Sequence, residues 1–116
     1  IAGLRVIERP PQESIVGSSF QFLLPDWPAD RMRALLAACA ARGVEVKWFG
    51  AAEPVAFTSR YDSWRYAPPQ RLPRTDAILA GLIDMRLPLT FSEADVRMIA
   101  EIIRDEVVGA STQAAE

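Results

Sequence analysis

The sequence predicts a small two-layer α/β sandwich, a roughly three-stranded sheet packed against helices. Three observations carry this reading. Two segments alternate with the period of a strand, two others carry the i, i+3, i+4, i+7 stripe of an amphipathic helix, and the joints between them are tight.

The first strand is predicted over residues 15–24, "IVGSSFQFLL". Phe20, Phe22 and Leu24 alternate with Gln21 and Leu23, and the run is apolar enough for a central strand. Gly17, Ser18 and Ser19 leave one stretch almost bare of side chains. Such a stretch marks either a bulge or a place where a ligand or another chain lies against the backbone. Ser19 is therefore a candidate contact residue.

A helix follows in "DWPADRMRALLAACAARG". Pro28 suits its first turn and Gly43 its C-terminal end. Met32, Leu35, Leu36 and Cys39 form the stripe expected to be buried. Cys39 reads as a small core residue and not a catalytic thiol. "VEVKWF", residues 44–49, then alternates as a second strand, with Val44, Val46 and Trp48 on one face and Glu45, Lys47 and Phe49 on the other.

About 25 residues from Gly50 to Arg74 have no clean period and contain four prolines. Loops of this length in a compact domain are usually functional. Phe57, Arg60, Tyr61, Trp64 and Tyr66 give it aromatic and arginine anchors of the kind enriched at binding surfaces. A short helix capped by Thr75 is expected next, apolar at Ile78, Leu79 and Leu82, then a third strand over about 83–87. In "SEADVRMIAEIIRDEVV" the Ser92/Asp95 spacing is a capping box, and Val96, Ile99, Ile103 and Val107 form a buried stripe with Ile102 beside it. The domain is expected to span 14–108. Residues 1–13 read as a lead-in, and the small polar tail 109–116 is expected to fray.

Composition excludes several classes. The 116 residues suit one domain, and half are apolar. A net charge of −2 supplies no field to draw nucleic acid or a membrane surface. Basic residues are 12 Arg and one Lys, with no His and one Cys, so a zinc site is not expected. No apolar run is long enough to span a bilayer, and no signal peptide is visible, which makes the cytoplasm the expected location. The chain begins at Ile1 and its first methionine is Met32, which reads as a piece of a longer protein.

Arg86 is the residue to explain. It sits in "DMRLPL", an apolar run just before a helix start. It can be an ion-pair partner of Asp84 or Glu101, or a ligand for an anion. A guanidinium binds a carboxylate through two parallel charge-assisted hydrogen bonds and stays charged at every relevant pH.

Three phrases carry a resemblance. "MRLPLTFSEADVRMIAEII", "LLAACAARGVEVKWFG" and "GSSFQFLL", in this order, resemble the C-terminal small domain of fold-type I pyridoxal-phosphate-dependent aminotransferases, nearest to the DegT/StrS group. The likeness runs from about Val16 to Val107. Where that family often has His-containing segments after the second strand, this chain has "EPVAFTSRYDSWRY" and no His. The resemblance implies a homodimeric parent enzyme in which this domain closes over the substrate. It implies that Arg86 grips a substrate carboxylate, with further contacts from Arg60, Tyr61, Trp64 and Ser19. Pyridoxal phosphate and its Schiff-base lysine would belong to a large domain of the same parent chain, so this chain alone is expected to be inactive and to hold no cofactor. Two other readings stand beside it: a non-catalytic module that binds a small ligand, and a dimerisation domain.

Overall fold

The computed structural model of the chain describes residues 1, 3–53 and 60–113, the last three by backbone only. The elements are β1 (Arg5–Val6), β2 (Ser19–Leu23), α1 (Ala29–Ala41), β3 (Lys47–Trp48), a 3₁₀ turn (Tyr61–Ser63), α2 (Pro73–Gly81), β4 (Leu82–Arg86) and α3 (Glu93–Gln113). The sheet is antiparallel throughout, in the order β1-β2-β4-β3. β4 slots between β2 and β3, which α1 connects, so the central unit is a split β-α-β.

The α/β class is as the sequence predicts, with four strands among the described residues instead of three. The extra one lies in the expected lead-in: Arg5 and Val6 pair with Leu23 and Phe22 at the sheet edge. The strand expected over 15–24 is shorter. Gly17 takes a left-handed φ of 73°, and Val16 is 87% exposed, so pairing starts only at Ser19. Residues 44–49 also form less ladder than their alternation suggests. Val44 and Val46 are buried, yet only Lys47 and Trp48 pair with β4.

α2 starts at Pro73 and not at a Thr75 cap, because proline at the first helical position loses no hydrogen bond. Ile78 on that helix is exposed. The capping box of α3 is formed: Ser92 Oγ accepts the Asp95 backbone N–H at 3.2 Å, and Asp95 Oδ2 accepts the Ser92 N–H at 2.8 Å. α3 then continues through Gly109 to Gln113, so the tail expected to fray is helical that far.

One face of the sheet carries the core. Phe22, Leu24, Ile83, Met85 and Trp48 pack there against Met32, Leu35 and Cys39 of α1 and Ile102, Ile103 and Val107 of α3. Leu36 and Ile99 are only partly buried at the margin. Val96, expected in the core, is 39% exposed. It is in the first turn of α3, where it borders an open apolar cleft with Phe20, Met85 and Leu87.

Candidate functional site

Side chains alternate across a strand, so residues between the core positions point to the opposite face of the sheet. β2 sends Ser19 and Gln21 there, β4 sends Asp84 and Arg86, and β3 sends Lys47, followed by Phe49. Register brings them together: Ser19 is the cross-strand partner of Arg86, Gln21 of Asp84, and Lys47 also of Asp84. α1 and α3 pack on the other side, so this face is the polar one.

Asp84 is the centre of the arrangement. It is 4% exposed. The Gln21 amide donates to its Oδ1 at 3.1 Å. A buried carboxylate needs such donors and a nearby cation, and Lys47 stands directly opposite.

Arg86 is exposed, while Met85 is buried and Leu87 half-buried on the other face. Its side-chain direction is therefore the one expected from the sequence, away from the helices. It borders two hollows. One, of about 290 Å³, is lined by Ser18, Ser19, Gln21, Phe49, Asp84 and Arg86. The other, of about 300 Å³, opens between β4 and residues 43–47 and includes Glu45, Lys47, Asp84 and Arg86.

The expected loop contacts are placed differently. Arg60 is clasped by Asp62 through two hydrogen bonds of 2.9 Å, which hold the Asp62 carboxyl below the usual carboxylate range and raise the guanidinium. Tyr61 donates its hydroxyl to Asp76 Oδ1 at 2.8 Å and accepts the Leu72 N–H at 3.2 Å. The bond to Asp76 raises the phenol above its ordinary value. Tyr61 thus ties the loop to α2, while Arg60 braces its own turn and donates to the Ala51 carbonyl oxygen at 3.4 Å. They border a smaller hollow of about 100 Å³ that shares Phe49 with the sheet-face hollow. Trp64 stacks on Tyr66, with ring centroids 5.7 Å apart and planes 17° apart. Phe57 lies outside the described residues. Of the five predicted contacts, the structure joins Ser19 to Arg86 and leaves Arg60, Tyr61 and Trp64 on a neighbouring surface.

Gln21, Glu45, Lys47 and Asp84 are the members of the site that sequence reasoning did not select. Their signal was present in part: Glu45 and Lys47 alternate with buried valines, and Asp84 and Arg86 are two apart in a strand. What the sequence lacks is the order of the strands.

Cys39 offers no nucleophile. Burial pushes its thiol up to about 11, with a further rise from nearby Glu106. Among the described residues no group of three metal-ligating side chains gathers, and no helix is long and apolar enough to cross a membrane.

No family model, no curated protein and no solved structure matches this chain.

Proposed function

We propose that the polar sheet face binds a carboxylate-bearing small molecule through Arg86. We further propose that the chain does so as the C-terminal small domain of a cytoplasmic, dimeric pyridoxal-phosphate-dependent aminotransferase of the DegT/StrS kind. The observation that carries the reading is the direction of Arg86. It stands on the sheet face turned away from the helices, over Ser19 and beside a hollow of small-molecule size. In such an enzyme that face meets the large domain, and Arg86 supplies a planar, permanently charged carboxylate ligand.

We infer that this chain does not itself hold pyridoxal phosphate. Its single lysine, Lys47, faces the buried Asp84 carboxylate across the ladder. A lysine on a sheet rung opposite a carboxylate is not the isolated amine from which a Schiff base starts. The cofactor would be held by another part of the parent protein, and this domain would contribute binding and closure.

A second reading, a ligand-binding module without catalysis, is favoured by the hollow beside β4. It is lined by Glu45, Lys47 and Arg86 beside Met85 and Phe91.

Arg86→Leu in the full-length protein tests the proposal. Arg86 is exposed, so thermal unfolding should be unchanged. Use of a carboxylate-bearing substrate should weaken by about 1.5–3 kcal/mol in kcat/KM, the range for a hydrogen bond to a charged group. Unchanged kinetics together with a lowered melting temperature would make Arg86 structural.

A further inference from the structure

β3 is an outer strand, because the sheet order is β1-β2-β4-β3. Along residues 44–48 burial alternates: Val44, Val46 and Trp48 are buried, Glu45 is exposed and Lys47 half-buried. The segment is therefore extended beyond the two residues that pair with β4. Its main-chain groups alternate as well. Phe49 donates its N–H to the Leu82 carbonyl oxygen at 3.0 Å, so Lys47 and Phe49 turn their main chain toward β4. Val46 and Trp48 turn theirs outward, and among the described residues neither has a main-chain partner there.

An outward row of this kind is a template for another strand. A lysine on an edge ordinarily deters a second copy, which brings a lysine of its own. Glu45, two positions away on the same face, lifts that obstacle in one register. An antiparallel pair centred on Val46 sets Val46 opposite its own copy, where the two exchange N–H···O bonds. It also sets Glu45 of each chain opposite Lys47 of the other, so both flanking rungs join opposite charges. Moving the twofold axis to Lys47 sets lysine against lysine, which is unfavourable.

We propose that two copies of this chain pair edge to edge through β3, antiparallel and centred on Val46. The sheets then run on as one, with four strands from each copy and both Arg86 faces on the same side. The two β4 strands lie about 14 Å apart, three strand spacings. The contact is short, so the dimer is weak and forms as concentration rises. The proposal gives the second copy a defined surface. It rests on the edge alone and holds whether or not Arg86 binds a carboxylate.

Sedimentation velocity and amide NMR of the 116-residue chain from about 20 µM to about 1 mM test this. Rising concentration should shift the amides of Glu45, Val46, Lys47 and Trp48 ahead of all others. Isotope-filtered NOEs should join the Glu45 Hα of one copy to the Lys47 Hα of the other, since that rung is the close, non-hydrogen-bonded kind. Glu45→Lys and Lys47→Glu should each weaken self-association about tenfold or more. An equal mixture of the two variants should associate, because every flanking rung is then of opposite charge. Absence of association at about 1 mM, shifts centred elsewhere, undiminished association of Glu45→Lys, or a mixture of folded variants that stays monomeric overturns the proposal. Should Lys47→Glu fail to fold beside Asp84, Glu45→Lys and the NOE decide. None of these readouts bears on the kinetics of Arg86→Leu, so the two readings stand or fall separately.

Discussion

Lys47 and Asp84 face each other on the last rung of the β3–β4 ladder. Asp84 accepts from Gln21 on its other side, so three strands are joined by one polar row. Replacing Asp84 by Ala leaves the Gln21 amide without its acceptor. Urea unfolding should register a loss of about 1–3 kcal/mol. Asp84→Asn keeps an acceptor for Gln21 and should lose less. If the two variants were equally stable, Gln21 would owe nothing to this contact.

The α3 start is stabilised by a reciprocal pair, and its removal has two readouts. Ser92→Ala deletes the oxygen that accepts the Asp95 N–H, and a lost cap of this kind costs about 0.5–2 kcal/mol. Hydrogen bonds from Ser92 also depress the Asp95 carboxyl. A depressed acid adds stability that is present above its unfolded value, about 3.9, and is lost as pH falls through the folded one. Stability of the wild type should therefore fall below about pH 4 more steeply than that of Ser92→Ala. Parallel acid limbs would refute the link.

Cys39 should be inert in the native protein. Its thiol is buried and raised to about 11, so the thiolate is nearly absent at neutral pH. Alkylation by iodoacetamide should track unfolding, with full modification only in denaturant. The sign of the linkage also follows. The unfolded thiol, near 8.5, ionises first, so this contribution is intact below that pH and declines between it and about 11. Rapid alkylation of folded protein at pH 7.5 would contradict this burial.

Two glycines should respond to alanine in opposite directions. A Cβ on Gly81 would come within 2.9 Å of the Leu24 carbonyl oxygen, where α2 passes into β4. Gly81→Ala should destabilise by about 1–3 kcal/mol, as overpacking does. Gly109 lies in α3 with open space around it. There alanine should stabilise by about 0.4–1 kcal/mol, chiefly by restricting the unfolded chain. Thermal melts of the two single variants suffice to compare them.

The long elements were legible in the sequence because their signals are local. α1 follows from Pro28 and the Met32–Leu35–Cys39 stripe, and α3 from Ser92 and Asp95. β1 was not legible, since two residues carry no period and pair only because Phe22 and Leu23 lie beside them. Val96 fits the helical stripe yet borders the open cleft beside Phe20 and Met85, so its exposure depends on where α3 crosses and not on its own sequence. The candidate site divides in the same way. The direction of Arg86 follows from strand alternation. Its company of Ser19, Lys47 and Glu45 depends on β4 entering between β2 and β3, which no local pattern encodes.

The indole N–H of Trp48 donates to the Ala80 carbonyl oxygen at 2.8 Å. That bond closes a span of 32 positions, and Gly50 makes room for it, since a Cβ there would lie 2.6 Å from the indole nitrogen. The frame therefore senses the two ends of this span far more than its contents. Loop closure grows only logarithmically, and doubling the span would cost about 0.6 kcal/mol. Evolution can lengthen, shorten or rewrite the prolines and aromatics of this insert while the sheet keeps its shape, so descendants of one ancestor can share the sheet and differ most in the surface beside Arg86.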